Sequence, residues 1–265
     1  MIKPRPQAGF TLVEAIVTMV IIGIVAGMVG MFIRTPIQQY QDIATRAELT
    51  DTADAALRRI GRDLRLALPN SARISGNNAL EILQTRTGGR YAAPTLSPVL
   101  DYTGKTFSVL SGSMTAIPAK GEYVVIYNLG QNIDGANAYA GDNISQIDSA
   151  TATSVTLTNA FNFPLASPGL RFQVVESPVT YLCDTTAGTL TRYWGYAIKA
   201  AQPTDPVVAP LSAGQSSLLA QNVTDCAFTY GAVNERMGLV TLTLSLTRNN
   251  ETVTLYHEVH VNNVP

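Results

Sequence analysis

Residues 15–33 form an apolar run with no charged side chain, and Glu14 stands at its entrance. The nineteen residues of this run span about 28 Å as a helix, enough to cross the hydrocarbon core of a bilayer. A carboxylate just inside such a helix is costly to hold in lipid, so Glu14 needs a reason to be there. Lys3 and Arg5 precede the run, and the positive-inside rule then puts the leader in the cytoplasm and Arg34 onward outside. An ordinary secretory signal has a shorter apolar core and a small-residue cleavage site at its far end. Here the run is followed by Arg34-Thr35-Pro36-Ile37, which is not such a site.

The rest of the chain is large enough to fold around a core of its own. Its 265 residues allow one large domain or two small ones, and 46% of them are hydrophobic. A net charge of -1 argues against a nucleic-acid partner, which needs a basic surface. The two cysteines, Cys183 and Cys226, both fall in the part assigned to the outside. An even count in an oxidising compartment favours one disulfide, although spacing alone leaves two separate buried thiols open. Neither cysteine has a Cys or His at metal-ligand spacing.

Within the apolar run, Gly23, Ala26, Gly27 and Gly30 share one helix face and would let another helix approach closely. Beyond Pro36, which is expected to kink or interrupt the helix, a second helical pattern begins. Ala53, Ala56, Leu57, Ile60, Leu64, Ala67 and Leu68 form its apolar face, and Pro69 is expected to stop it. Asp51, Asp54, Arg58, Arg62 and Arg65 lie on another face, and Asp42, Glu48 and Asp63 are read with them as a solvated mixed-charge surface.

From Asn70 the pattern changes to period two. Strands are predicted over 79–85, 122–127, 155–158 and 170–175. The clearest is a closing hairpin. Val240, Leu242, Leu244 and Leu246 alternate with Thr and Ser, and a turn at 248–251 leads to Val253, Leu255, Val259 and Val261. Residues 200–215, rich in Ala, Pro and Ser, read as a long loop. The fold class is therefore α+β: a long N-terminal helix, half membrane and half amphipathic, packed on a β-rich C-terminal head.

The segment Gly9-Phe10-Thr11-Leu12-Val13-Glu14, after a short polar leader and before the apolar helix, resembles the type IV prepilin signal. That resemblance implies cleavage after Gly9 by a prepilin peptidase, methylation of the new α-amine of Phe10, and a glutamate, here Glu14, at the fifth mature position. It divides the chain into a leader at 1–9, a transmembrane and assembly helix at 10–35, an amphipathic helix at 36–68 and an extracytoplasmic head at 69–265. Residues 55–65 resemble the helix of the J-type pseudopilins of type II secretion and, equally, that of the O-type minor subunits of the mannose-sensitive haemagglutinin (MSHA) pilus. The stretches 181–184, 188–196 and 257–263 look more like the MSHA subunits. The implied product is a structural minor pilin-like subunit without a cofactor, not an enzyme. Its implied partners are other pilins, the peptidase, an inner-membrane assembly platform and, before assembly, membrane lipid. It would be anchored in a bacterial inner membrane with a periplasmic head.

On this reading Glu14 pairs with the methylated amine of Phe10 on a neighbouring subunit, because burying either charge alone is costly. Gly9 lets the peptidase approach the backbone, where a side chain would intrude. Other candidates have simpler explanations. His257 and His260 point to opposite faces of a strand, so they do not share a metal, and His257 reads as half-buried structure. The oxygen donors at 134–137 and 142–143 lack EF-hand spacing and read as a polar loop, so no metal site is assigned. Tyr193, Trp194 and Tyr196 would suit a sugar-binding adhesin, but core packing accounts for them more simply.

Overall fold

A computed structural model describes residues 9–92, 104–231 and 238–265. Most of the leader, with Lys3 and Arg5, lies outside them. The chain divides between Glu48 and Leu49 into two compact units. One long helix, α1 (Leu12–Arg65), contributes to both, and among the described residues twelve strands follow it.

In the first unit α1 carries no charged side chain over residues 15–33, and its Ile16, Val20, Ile24, Met28 and Phe32 are all exposed. It is long and apolar enough to cross a membrane. Pro36 lies inside it, and the helix runs on through it without interruption. The missing N–H removes one hydrogen bond, and the helical turns on either side carry the chain across the gap.

In the second unit the amphipathic stretch packs as its spacing requires. Leu49, Ala53, Ala56, Leu57, Ile60 and Leu64 are buried in one core with residues of both sheets. Asp54 and Arg58 pair at 2.7 Å on the exposed side. The helix ends earlier than Pro69, because the chain there enters a sheet. Leu66 and Ala67 N–H groups bond to Asp63 and Leu64 carbonyls in a tightened last turn. Leu68 N–H then reaches Leu83 O at 2.7 Å, and Leu66 O accepts from Thr85 N–H. Ala67 and Leu68 are buried as expected, but past the end of the helix.

The strands are β1 (Arg73–Ser75), β2 (Ala79–Arg90), β3 (Thr106–Ser108), β4 (Tyr123–Val125), β5 (Ile144–Ala150) and β6 (Ser154–Leu157). After them come β7 (Arg171–Asp184), β8 (Thr189–Trp194), β9 (Gln215–Gln221), β10 (Val223–Tyr230), β11 (Leu239–Arg248) and β12 (Glu251–His260). A nine-stranded sheet has the order β1-β2-β7-β4-β5-β6-β3, with β8 on β7 and β9 on β8. The branch lies within β7. Its first part pairs with β4 up to Val175, its last part pairs with β8 from Val179, and β2 runs along the other side. Pro178 sits in the gap, where a missing donor costs no ladder bond on the branched side.

The second sheet has the order β10-β11-β12. Its hairpin turns on Asn249 and Asn250, both at positive φ, as a two-residue turn of the primed kind requires. Val240, Leu242, Leu244 and Leu246 are buried, and β12 alternates half-buried with exposed residues until Val259. Gly61 lets the helix come close to this sheet, since a side-chain carbon there would lie 3.2 Å from His257 Nε2. Cys183 on β7 and Cys226 on β10 form a disulfide that ties the two sheets together. A separate core under β3–β6 is centred on Phe107 and Phe172, whose rings meet edge to face at 5.5 Å.

Candidate functional site

Gly9 and Phe10 precede the first helical turn, so the bond between them lies in non-helical, exposed chain. Phe10 is 72% exposed, and a side chain at Gly9 would meet nothing within 4 Å. Thr11 caps the helix. Its Oγ1 accepts from Glu14 N–H at 3.4 Å, and its carbonyl takes Ala15 N–H at 3.2 Å. Thr-x-x-Glu is the spacing of a capping box, a signal legible in the sequence beside the prepilin reading. Glu14 is exposed and lies in the first turn, where a negative side chain meets the positive end of the helix dipole. The small-residue stripe faces open space, because a Cβ at Gly23, Gly27 or Gly30 would touch nothing within the chain.

Among the described residues two acids, Asp63 on α1 and Glu81 on β2, are buried with buried arginines, and the sequence reading missed both. Asp63, read as part of a solvated face, is only 4% exposed. Its Oδ2 accepts from Tyr181 Oη at 2.5 Å and from Arg192 Nε at 2.8 Å, while Arg59 Nε lies 3.5 Å from Oδ1. The helical period explains the correction: Asp63 follows Ile60 by three and precedes Ala67 by four, so it falls on the buried stripe. Arg192 is inward because it shares a strand face with Leu190, and its guanidinium lies 4.7 Å from the Trp194 ring.

The second cluster centres on Glu81, which is 0% exposed. Arg73 Nε and Nη2 both reach Glu81 Oε2 at 2.8 Å, and Tyr196 Oη donates to Oε1 at 3.1 Å. Arg73 also donates to the Ala200 carbonyl at 2.6 Å and the Lys199 carbonyl at 2.9 Å, pinning the loop after β8, and stacks 3.6 Å from the Tyr139 ring. Burial pushes the Glu81 carboxyl up to about 7, opposed by Arg73 and the Tyr196 hydroxyl. Burial likewise raises Tyr181 and Tyr196 above the usual phenol range. Each acid has its cation and hydrogen bonds inside the cluster, so both serve the fold.

The remaining candidates are dispersed. Tyr193 and Trp194 are half-buried neighbours on alternate faces of β8, and Tyr196 is buried against Thr180 and Glu81. His257 is half-buried and His260 exposed, on opposite faces of β12. In the polar loop Asn137 Oδ1 accepts from the N–H groups of Tyr139 and Ala140, and Asn143 Nδ2 donates to Ile126 O. Among the described residues no group of three or more His, Cys, Asp or Glu side chains is placed to hold a metal ion.

Residues 4–30 match the family model of the prokaryotic N-terminal methylation motif. No curated protein and no solved structure matches the chain. The motif supports a type IV pilin- or pseudopilin-like protein, and a long apolar helix followed by a β-rich domain fits that reading. The apolar helix and the motif fit a single-pass, membrane-anchored protein.

Proposed function

We propose that this chain is a minor pilin-like structural subunit of an MSHA-type pilus, cleaved between Gly9 and Phe10 and methylated on the Phe10 amine. The observation that carries the reading is the methylation motif at 4–30, placed on a capped apolar helix with Gly9 and Phe10 exposed ahead of it. The four-part division at residues 9, 35 and 68 belongs to the same proposal, as does an inner-membrane anchor with a periplasmic head. In assembly, the Glu14 carboxylate meets the methylated amine of a neighbouring subunit and favours docking in register, since either charge alone in an apolar bundle is costly. The branched head, with its long loop after β8, suits a low-copy subunit that primes or caps the fibre alongside other minor pilins. Glu14→Gln tests the mechanism: cleavage proceeds normally while incorporation into sheared fibres falls. Normal fibre numbers in that variant would overturn it.

The J-type helix resemblance at 55–65 supports a second reading, a minor pseudopilin of type II secretion. A deletion strain separates the two, because the first predicts loss of surface pili and the second loss of secreted enzymes.

A further inference from the structure

The three-stranded sheet ends on β12, and among the described residues no strand pairs with its outer side. The hairpin register decides which main-chain groups point that way. Arg248 and Glu251 flank the two-residue turn and close it as a hydrogen-bonded pair. Bonded and non-bonded pairs alternate from there, so Val253, Leu255, His257 and Val259 exchange bonds with β11. The bond from Val261 N–H to Gly238 O at 2.7 Å keeps the same parity. Thr252, Thr254, Tyr256, Glu258 and His260 therefore turn their N–H and C=O groups outward, and all five side chains are exposed, Tyr256 by 61%.

This edge carries the charged side chains Glu251 and Glu258 but none of the bulges, prolines or lysines that also guard edges. Its ten residues pair with β11 without a register shift. Its core-facing row is also unfinished. Val253, Leu255 and His257 stay half-buried, whereas Leu246, Leu244 and Leu242, directly opposite them, are fully buried. One further strand would satisfy the outward main-chain groups and cover that row together.

We propose that β12 is a docking edge for an extended strand from the head of a neighbouring, different subunit of the same assembly. The proposal rests on the pilin-type reading, which supplies neighbouring heads. The edge itself sets the chemistry: an alternating strand, apolar where it covers Val253 and Leu255, and hydroxyl-bearing or basic where it meets Thr254 and Glu258. Glu258 is the acid of the outward row. Two copies of β12 pairing with each other would close an isologous contact, whereas a growing fibre needs a heterologous one.

The test places p-benzoylphenylalanine at position 254 or 256 of the full chain, produced in its native host, and irradiates intact cells. The expected adduct joins the edge to a strand of another chain that itself carries a prepilin-type N-terminus, identified by mass spectrometry of the crosslinked peptide. Thr254→Pro deletes one outward N–H and leaves the β11 ladder whole. It lowers the adduct from position 256, and recovery of the subunit in sheared fibres, about tenfold. An adduct with a second copy of this chain alone, with lipid alone, or none at all overturns the proposal. Wild-type recovery of Thr254→Pro overturns it as well. If that variant does not accumulate, the crosslinks made with the intact backbone decide. Glu14→Gln in the same strain separates the two ideas. Loss of Glu14→Gln from fibres with Thr254→Pro retained sinks the edge and keeps the pilin reading; retention of both sinks the pilin reading itself.

Discussion

Asp63 and Glu81 are carboxylates that the head can bury only because a guanidinium reaches each one. Asp63→Ala leaves Arg192 inside with its main partner gone, and the expected loss of stability is about 3 kcal/mol. Denaturant unfolding of the full chain in detergent, followed by the fluorescence of Trp194, measures it; a change within the scatter of surface substitutions would contradict the burial argument. Glu81 predicts a pH dependence. Its folded-state value of about 7 lies above the ordinary carboxyl range, so the folded chain holds this proton more tightly than the unfolded one. The stability contributed by this group is therefore fully present below the unfolded value, about 4.3, and is lost as pH rises through about 7. Glu81→Gln removes that slope. Melting both proteins at roughly pH 5 and pH 8 compares them, and equal slopes would remove Glu81 as the cause.

At the scale of elements, the disulfide and the branch in β7 hold the head together. Cys183 and Cys226 are 43 residues apart, and opening that loop costs about 4 kcal/mol in the chain-entropy model. The double variant Cys183→Ser/Cys226→Ser is expected to lose stability on that scale, and an unchanged denaturant midpoint would contradict a structural bridge. The amphipathic stretch of α1 and the β11–β12 hairpin were legible in the sequence, because their periods run unbroken over ten residues. Other strands were not. β10 carries a register shift between Val223 and Asp225, and β5 one between Ile147 and Ser149, and each shift breaks the alternation by which strands are read. β8 keeps its alternation but turns Arg192 inward, a burial that makes sense only once Asp63 is beside it.

For the whole molecule, the decisive measurement is the mature N-terminus. The proposed processing predicts a chain that begins at Phe10 with a methylated amine and stays with the membrane fraction through a high-pH wash. Mass spectrometry that finds an uncut Met1 refutes it. The apolar helix and the methylation motif need no tertiary structure to be recognised, since they lie within consecutive residues.

The sequence by itself therefore determined the N-terminal helix, the methylation motif, the buried face of the amphipathic stretch and the closing hairpin. Each of these is written in residues a few positions apart, where helical and strand periods set the geometry. The tertiary structure alone decided which carboxylates are buried with cations, where the large sheet branches, that the cysteines meet, and that among the described residues no strand pairs with the outer side of β12. Those outcomes depend on distant partners. Asp63 and Arg192 are 129 positions apart, and no local period couples them; only the packing of α1 against both sheets brings that pair together.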